Sequence, residues 1–243
     1  MKLIKRELDD YRILLRNVPS LVITLFVVSV IMMNLLANKE LLSVKYFALD
    51  CGFALSWVSF LCMDMICKRF GAKAAAKISI LAMAINLLVT LIFKLMSLTP
   101  GMWGEYYTTG LTEVNDGLNA TFGGSWYVVF GSSTAMFLAA ITNSFINYTV
   151  AKNLKNVSFS DFAKRSFIST GVAQFVDNLA FATIVSYHFF GWTLTQVLVC
   201  SITGAIAELM CEVIFSPLGY KVSRQWEVEG VGKQYLNYAA ALR

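Results

Sequence analysis

Three carboxylates stand in this chain where a carboxylate is costly. Asp177 lies in GVAQFVDNLAFATIVSY, residues 171–187, a stretch otherwise free of charge, and Glu208 and Glu212 lie in AELMCEVIFSPLGY, residues 207–220. An acid at the centre of a membrane-spanning helix costs about 2.5–3.5 kcal/mol on insertion scales, and such groups normally face a bundle interior or a water-filled cavity. At helical spacing Gln174, Asp177, Asn178 and Phe181 share one face. The chemistry on that face is recognition. A carboxylate accepts two neighbouring N–H groups, amides match what remains, and a ring stacks on a flat heterocycle for about 1–3 kcal/mol. The competing role is an interhelical hydrogen-bond clamp, about 0.6 kcal/mol in a bundle. Glu208 and Glu212 are one turn apart on one face of the next apolar segment. Like charges so placed repel unless a cation or donor sits between them, or unless Glu212 pairs with the basic rim nearby.

Other polar residues in apolar segments leave two roles open. Asp64 has Lys68 at i+4, the spacing of a helix-end ion pair, and could instead serve a site. Asn34 and Asn38 share one helix face, and Asn143 and Asn147 another. Such amides glue helices or read a polar ligand. Trp57, Phe175, Tyr187 and Trp192 suit packing or an interfacial belt, and His188 an interfacial position. A lone histidine builds no metal site, and five scattered cysteines without a CxxC pair make no disulfide framework. No HExxH, no GxSxG and no glycine-rich phosphate loop is present. Neither an enzyme, nor a bound cofactor or metal, nor a nucleic-acid partner is expected.

The elements that must position these residues follow from composition. The chain has 243 residues, 57% hydrophobic and 14% charged, with a net charge of +5. Soluble domains carry about 25% charged residues, so the deficit points to a multi-pass membrane protein. Six apolar segments, 20–38, 47–67, 75–98, 125–151, 163–189 and 193–219, reach the ~20 residues of a crossing. All basic residues except Lys39, Lys45 and Lys94 then fall on one side. The expectation is an all-α protein of six transmembrane helices in the inner cell membrane, both termini cytoplasmic. Residues 1–18 read as an interfacial helix, 19–220 as the transmembrane domain and 221–243 as a cytoplasmic tail. No cleavable signal is expected at the N-terminus. Residues 99–124, with three acids and no base, read as a long outer loop.

Three stretches resemble one family. DMICKRFGAKAAAK (64–77) is similar to the element closing the second helix of the queuosine-precursor transporters, also called the vitamin uptake transporter family. RSFISTGVAQFVDNLAF (165–181) resembles its fifth-helix signature, and SPLGY (216–220) the proline-containing end of its sixth helix. The resemblance implies import of 7-deazapurines such as preQ0, preQ1 or queuine by a secondary transporter or facilitator. It carries over Arg165, Ser169, Gln174, Asp177 and Phe181 from the fifth helix and Asp64 from the second. Many members have Glu where this chain has Lys68, Asp where it has Asn147, and Lys near Glu208. On this reading Asp177 reads the base edge, and Glu208, with or without Glu212, holds the amine of preQ1 or queuine or a coupling proton. The partners are then a small heterocycle and the bilayer, with a homodimer open. The alternative is the substrate-binding subunit of an energy-coupling-factor vitamin importer, docking through AKAAAK (72–77).

Overall fold

The computed structural model describes residues 2–99, 101, 102, 104–153 and 159–241. Helix α1 (Lys2–Asn17) and helix α2 (Ser20–Leu36) meet at a bend of 107°. Pro19 lies at the corner, and its carbonyl accepts the N–H groups of Val22 (3.0 Å) and Ile23 (3.3 Å) to start α2.

A hairpin comes next. Strand β1 (Glu40–Val44) pairs antiparallel with β2 (Phe47–Asp50), setting Glu40 opposite Asp50, Leu42 opposite Leu49 and Val44 opposite Phe47. This corrects the expectation of a helical span beginning at residue 47. Leu42, Val44, Phe47 and Leu49 read as an apolar run, but Lys45-Tyr46 turns the chain and the ladder satisfies its backbone. Asp50 then ends the strand and accepts the Phe53 N–H at 3.2 Å, capping helix α3 (Phe53–Phe70).

Gly52 makes this corner possible. A Cβ there would lie 2.4 Å from the Met33 carbonyl oxygen and 2.8 Å from Asp50 Oδ1. Backbone cannot yield as a side-chain tip does. Gly52→Ala is expected to destabilise the protein by about 1–3 kcal/mol, read as a lower melting temperature in detergent. An unchanged melting temperature would mean that the corner relaxes freely.

Helices α4 (Ala72–Met96), α5 (Gly104–Thr109), α6 (Thr112–Gly124), α7 (Trp126–Asn153) and α8 (Phe159–Phe181) continue the chain. The segment expected as a loop at 99–124 therefore contains two helices. Val114, Leu118 and Phe122 recur at four-residue intervals, giving α6 an apolar stripe, and Phe122 packs on Phe93 at 4.7 Å. Past Phe181 the helix widens into a π-helical segment, Ala182–Tyr187. Helix α9 (Leu194–Glu229) runs through Pro217, so residues 221–229 of the expected tail are helical, and α10 (Lys233–Ala241) closes the described chain.

Ala72–Met96, Thr112–Asn143 and Leu194–Phe215 are each long and apolar enough to cross a bilayer, and the bent pair α1–α2 makes a fourth if it counts as one span. The protein is an all-α membrane protein apart from its hairpin. α2, at 17 residues, is just short of a straight crossing, and α3 carries Asp64, Lys68 and Arg69.

The chain forms two compact units. The first comprises Met1–Ile31, Leu55–Ile85 and Cys211–Arg243. Its core gathers Leu14, Val18, Phe26, Ile66 and Ile78, with Phe70 meeting Trp226 at 6.4 Å and Tyr235 at 6.2 Å. Lys77 bonds Glu7 and Asp10, tying α4 to α1 and holding the exposed Glu7 carboxyl below its usual range. The second unit comprises Met32–Ala54 and Asn86–Met210. Its core is Val128 and Val185 with Ala37, Tyr127, Phe181 and Ile184, and α7 packs along α8.

Candidate functional site

The second unit holds a cavity of about 330 Å³, room for a small ring system. Its lining comes from the end of α2, the hairpin, α8, the π-helical segment and the start of α9. Phe181, Phe190 and Trp192 supply rings, Asn38, Asn178, Ser186 and Ser201 neutral polar groups, and Glu40 and Asp50 charge. Among the described residues no basic side chain lines it. Glu40 and Asp50 are direct cross-strand partners, an arrangement that repels unless a cation intervenes.

Two sets of bonds hold the walls. The Asn38 amide donates to the Leu35 carbonyl (3.0 Å) and Ser125 Oγ (3.4 Å), while its oxygen accepts from the Tyr127 hydroxyl (3.1 Å). Tyr127 stacks on Phe189 at 4.4 Å and meets Phe190 edge-on at 6.1 Å. On the other wall the Asn178 amide donates to the Gln174 carbonyl (3.0 Å) and to Glu208 Oε2 (2.7 Å). Gly204 leaves room for this, since a Cβ there would sit 3.2 Å from Asn178 Oδ1. Asp177 and Asp50 both lie within electrostatic reach of Glu208. Acidic groups thus converge from the hairpin, α8 and α9 on one side of one unit.

Behind Asn178 lies an unsatisfied amide. Gln174 is 4% exposed, and among the described residues neither its oxygen nor its nitrogen has a hydrogen-bond partner. Asn143 Oδ1 on α7 is likewise buried and without a partner among the described residues. Each such group costs about 1–3 kcal/mol unless water or a ligand satisfies it.

Gln174, Asp177, Asn178, Phe181, Glu208 and Asn143 all belong to the second unit; Asn178 and Phe181 line its cavity, and the other four are not among the described lining residues. Asn34 is in the same unit, buried on α2 and already partnered. Asp64 and Glu212 belong to the first unit. There Asp64 lies within electrostatic reach of Glu212, whose Oε2 is buried and has no partner among the described residues. Lys68 does not close an ion pair with Asp64 among the described residues; its ammonium lies 3.3 Å from the Tyr220 ring centroid. The side chains of Arg165, Ser169 and Asn147 lie outside the described residues.

Residues 50–222 match one protein family, a stretch that includes α3, α8 and the carboxylates Asp64, Asp177, Glu208 and Glu212. The chain belongs to the vitamin uptake transporter family. No curated protein and no solved structure matches it. Membership in the vitamin uptake transporters points to membrane transport and argues against an enzyme.

Reading the sequence as helices missed Glu40, Asp50, Ser186, Phe190 and Ser201 as cavity residues. A signal existed for Asp50: an Asp three residues before Phe53, with Gly between, is a helix-start pattern.

Proposed function

We propose that this vitamin uptake transporter imports queuosine precursors, the 7-deazapurines preQ0, preQ1 or queuine, as a secondary transporter or facilitator. The proposed setting is the inner cell membrane, with six spans and both termini cytoplasmic, as the one-sided basic residues favour. The 330 Å³ cavity of the second unit is the proposed binding place. Of the lining residues, Phe181 stacks on the flat ring and Asn178 pairs with its polar edge. Gln174 and Asp177 are not among the lining residues; they stand on the same face of α8, and the ligand reaches them when its polar edge passes Asn178. Glu40 and Asp50 receive the amine of preQ1 or queuine, with Glu208 adding charge through Asn178.

The observation that carries this reading is Gln174. A buried primary amide with both ends unpaired, one turn from a carboxylate and beside a second amide, matches a ligand offering donors and acceptors on one edge. It fits a nucleobase-like edge better than an apolar vitamin, which would leave the amide unsatisfied.

The test is a thermal shift of purified protein with preQ0, preQ1 and queuine, wild type beside Asp177→Asn. A cognate ligand at a hundredfold its Kd should stabilise the wild type by about 2.7 kcal/mol. Asp177→Asn should lose that shift. If no deazapurine shifts the wild type, the substrate assignment is wrong. Equal shifts in both proteins would keep the substrate and remove Asp177 from the site.

A further inference from the structure

Helix α1 has three faces, and the fold uses one of them. Leu14 and Val18 enter the core of the first unit, and Glu7 and Asp10 bond Lys77. A second face carries Ile4, Leu8 and Leu15 at helical spacing, 66%, 63% and 37% exposed. The third carries Lys5, Arg6, Arg12 and Arg16 with Asp9, and forms one wall of a groove of about 600 Å³. Gln234 and Tyr238 of α10 complete the groove. The two helices are tied there, as Asn17 donates to Gln234 Oε1 (3.3 Å) and accepts the Tyr235 N–H (3.4 Å). None of the four cations has an ion pair among the described residues.

We propose that this groove binds the headgroup of an anionic phospholipid. Four unpaired cations against one acid call for an anion, and guanidinium forks at Arg12 and Arg16 match phosphate oxygens. The exposed apolar stripe lies beside the basic face, the pairing that seats a helix at the lipid interface. The 107° bend at Pro19 turns α1 out of the line of apolar α2, so α1 can lie along the surface at which α2 emerges. The acyl chains then run past Ile4, Leu8 and Leu15 while the phosphate sits among the cations. Both α1 and α10 lie outside the stretch shared with the family, so family membership does not assign this site. The inference rests on membrane residence alone and stands whether or not the solute is a deazapurine.

Short-chain phosphatidylglycerol titrated onto the full-length protein in detergent, with bound lipid counted by native mass spectrometry, tests this. Wild type should bind it in preference to the phosphatidylcholine analogue. Arg12→Gln/Arg16→Gln should bind it roughly 30-fold more weakly, at about a fivefold loss per cation. These side chains are exposed, so the fold should survive. Lys73→Gln/Lys221→Gln removes equal charge from exposed positions outside the groove and should bind as the wild type does. Equal losses in both double variants would reduce the effect to diffuse charge and overturn the site. Inorganic phosphate should not compete at matched concentration; full competition would make this a soluble-anion site and overturn the lipid assignment.

Discussion

The Glu40→Gln/Asp50→Asn protein is expected to bind preQ1 about 100-fold more weakly than the wild type and to bind preQ0 within a few-fold of it. The two ligands share the deazapurine ring, but preQ1 carries a cationic aminomethyl group where preQ0 carries a neutral nitrile. A hydrogen bond to a charged partner contributes about 1.5–3 kcal/mol, and removing two acids from an uncompensated amine takes away most of that twice over. Folding should survive the change. Asn is as good a helix cap as Asp, so α3 keeps its start. Removing like charges set opposite each other in the hairpin relieves repulsion in the empty protein. Competition binding with both ligands separates the outcomes. Equal weakening of preQ0 and preQ1 would mean that the hairpin only shapes the cavity, and no change in either would place the amine elsewhere.

What the sequence made legible was the face, and what it hid was the enclosure. Gln174, Asp177, Asn178 and Phe181 stand on α8 as a helical repeat requires, and their link to Glu208 is a direct hydrogen bond through Asn178. Glu208 and Glu212, one turn apart on α9, nevertheless serve different surroundings: Glu208 meets Asn178, and Glu212 lies near Asp64. Spacing says that two side chains point the same way, not what each meets. The hairpin was hidden because its second strand, FALD, runs on into the apolar segment that follows and is too short for its period to separate strand from helix. The π-helical segment hid the cavity positions of Ser186, Phe190 and Trp192. An i→i+5 turn advances the chain by one residue relative to an α-helix, so positions counted from Asp177 at 3.6 per turn come out on the wrong face. The Ser186 carbonyl then accepts the N–H groups of both Phe190 and Trp192, each at 3.1 Å, folding those two rings back over the cavity.

Gln174→Leu is expected to do two opposite things: raise the stability of the empty protein and abolish transport. The side chain is buried, and both amide atoms lack partners among the described residues, so the folded protein bears a desolvation cost that Leu, of similar size, does not. Relief of about 1–3 kcal/mol should raise the melting temperature in detergent by several degrees. The Asn178 bond on the same turn uses the Gln174 backbone carbonyl and is untouched by the change. Uptake into cells should fall by about 100-fold, because the ligand edge then meets a hydrocarbon and loses two bonds. The opposite sign of the two effects distinguishes a recognition group from helix glue. An amide that joined helices would lose stability on going to Leu, and transport would fall only as far as folding did. If Gln174→Leu lowers the melting temperature, the amide is structural and the base-reading role passes to Asp177 and Asn178 alone. If it raises the melting temperature and leaves uptake intact, the ligand does not reach this depth and binds only at the hairpin end of the cavity.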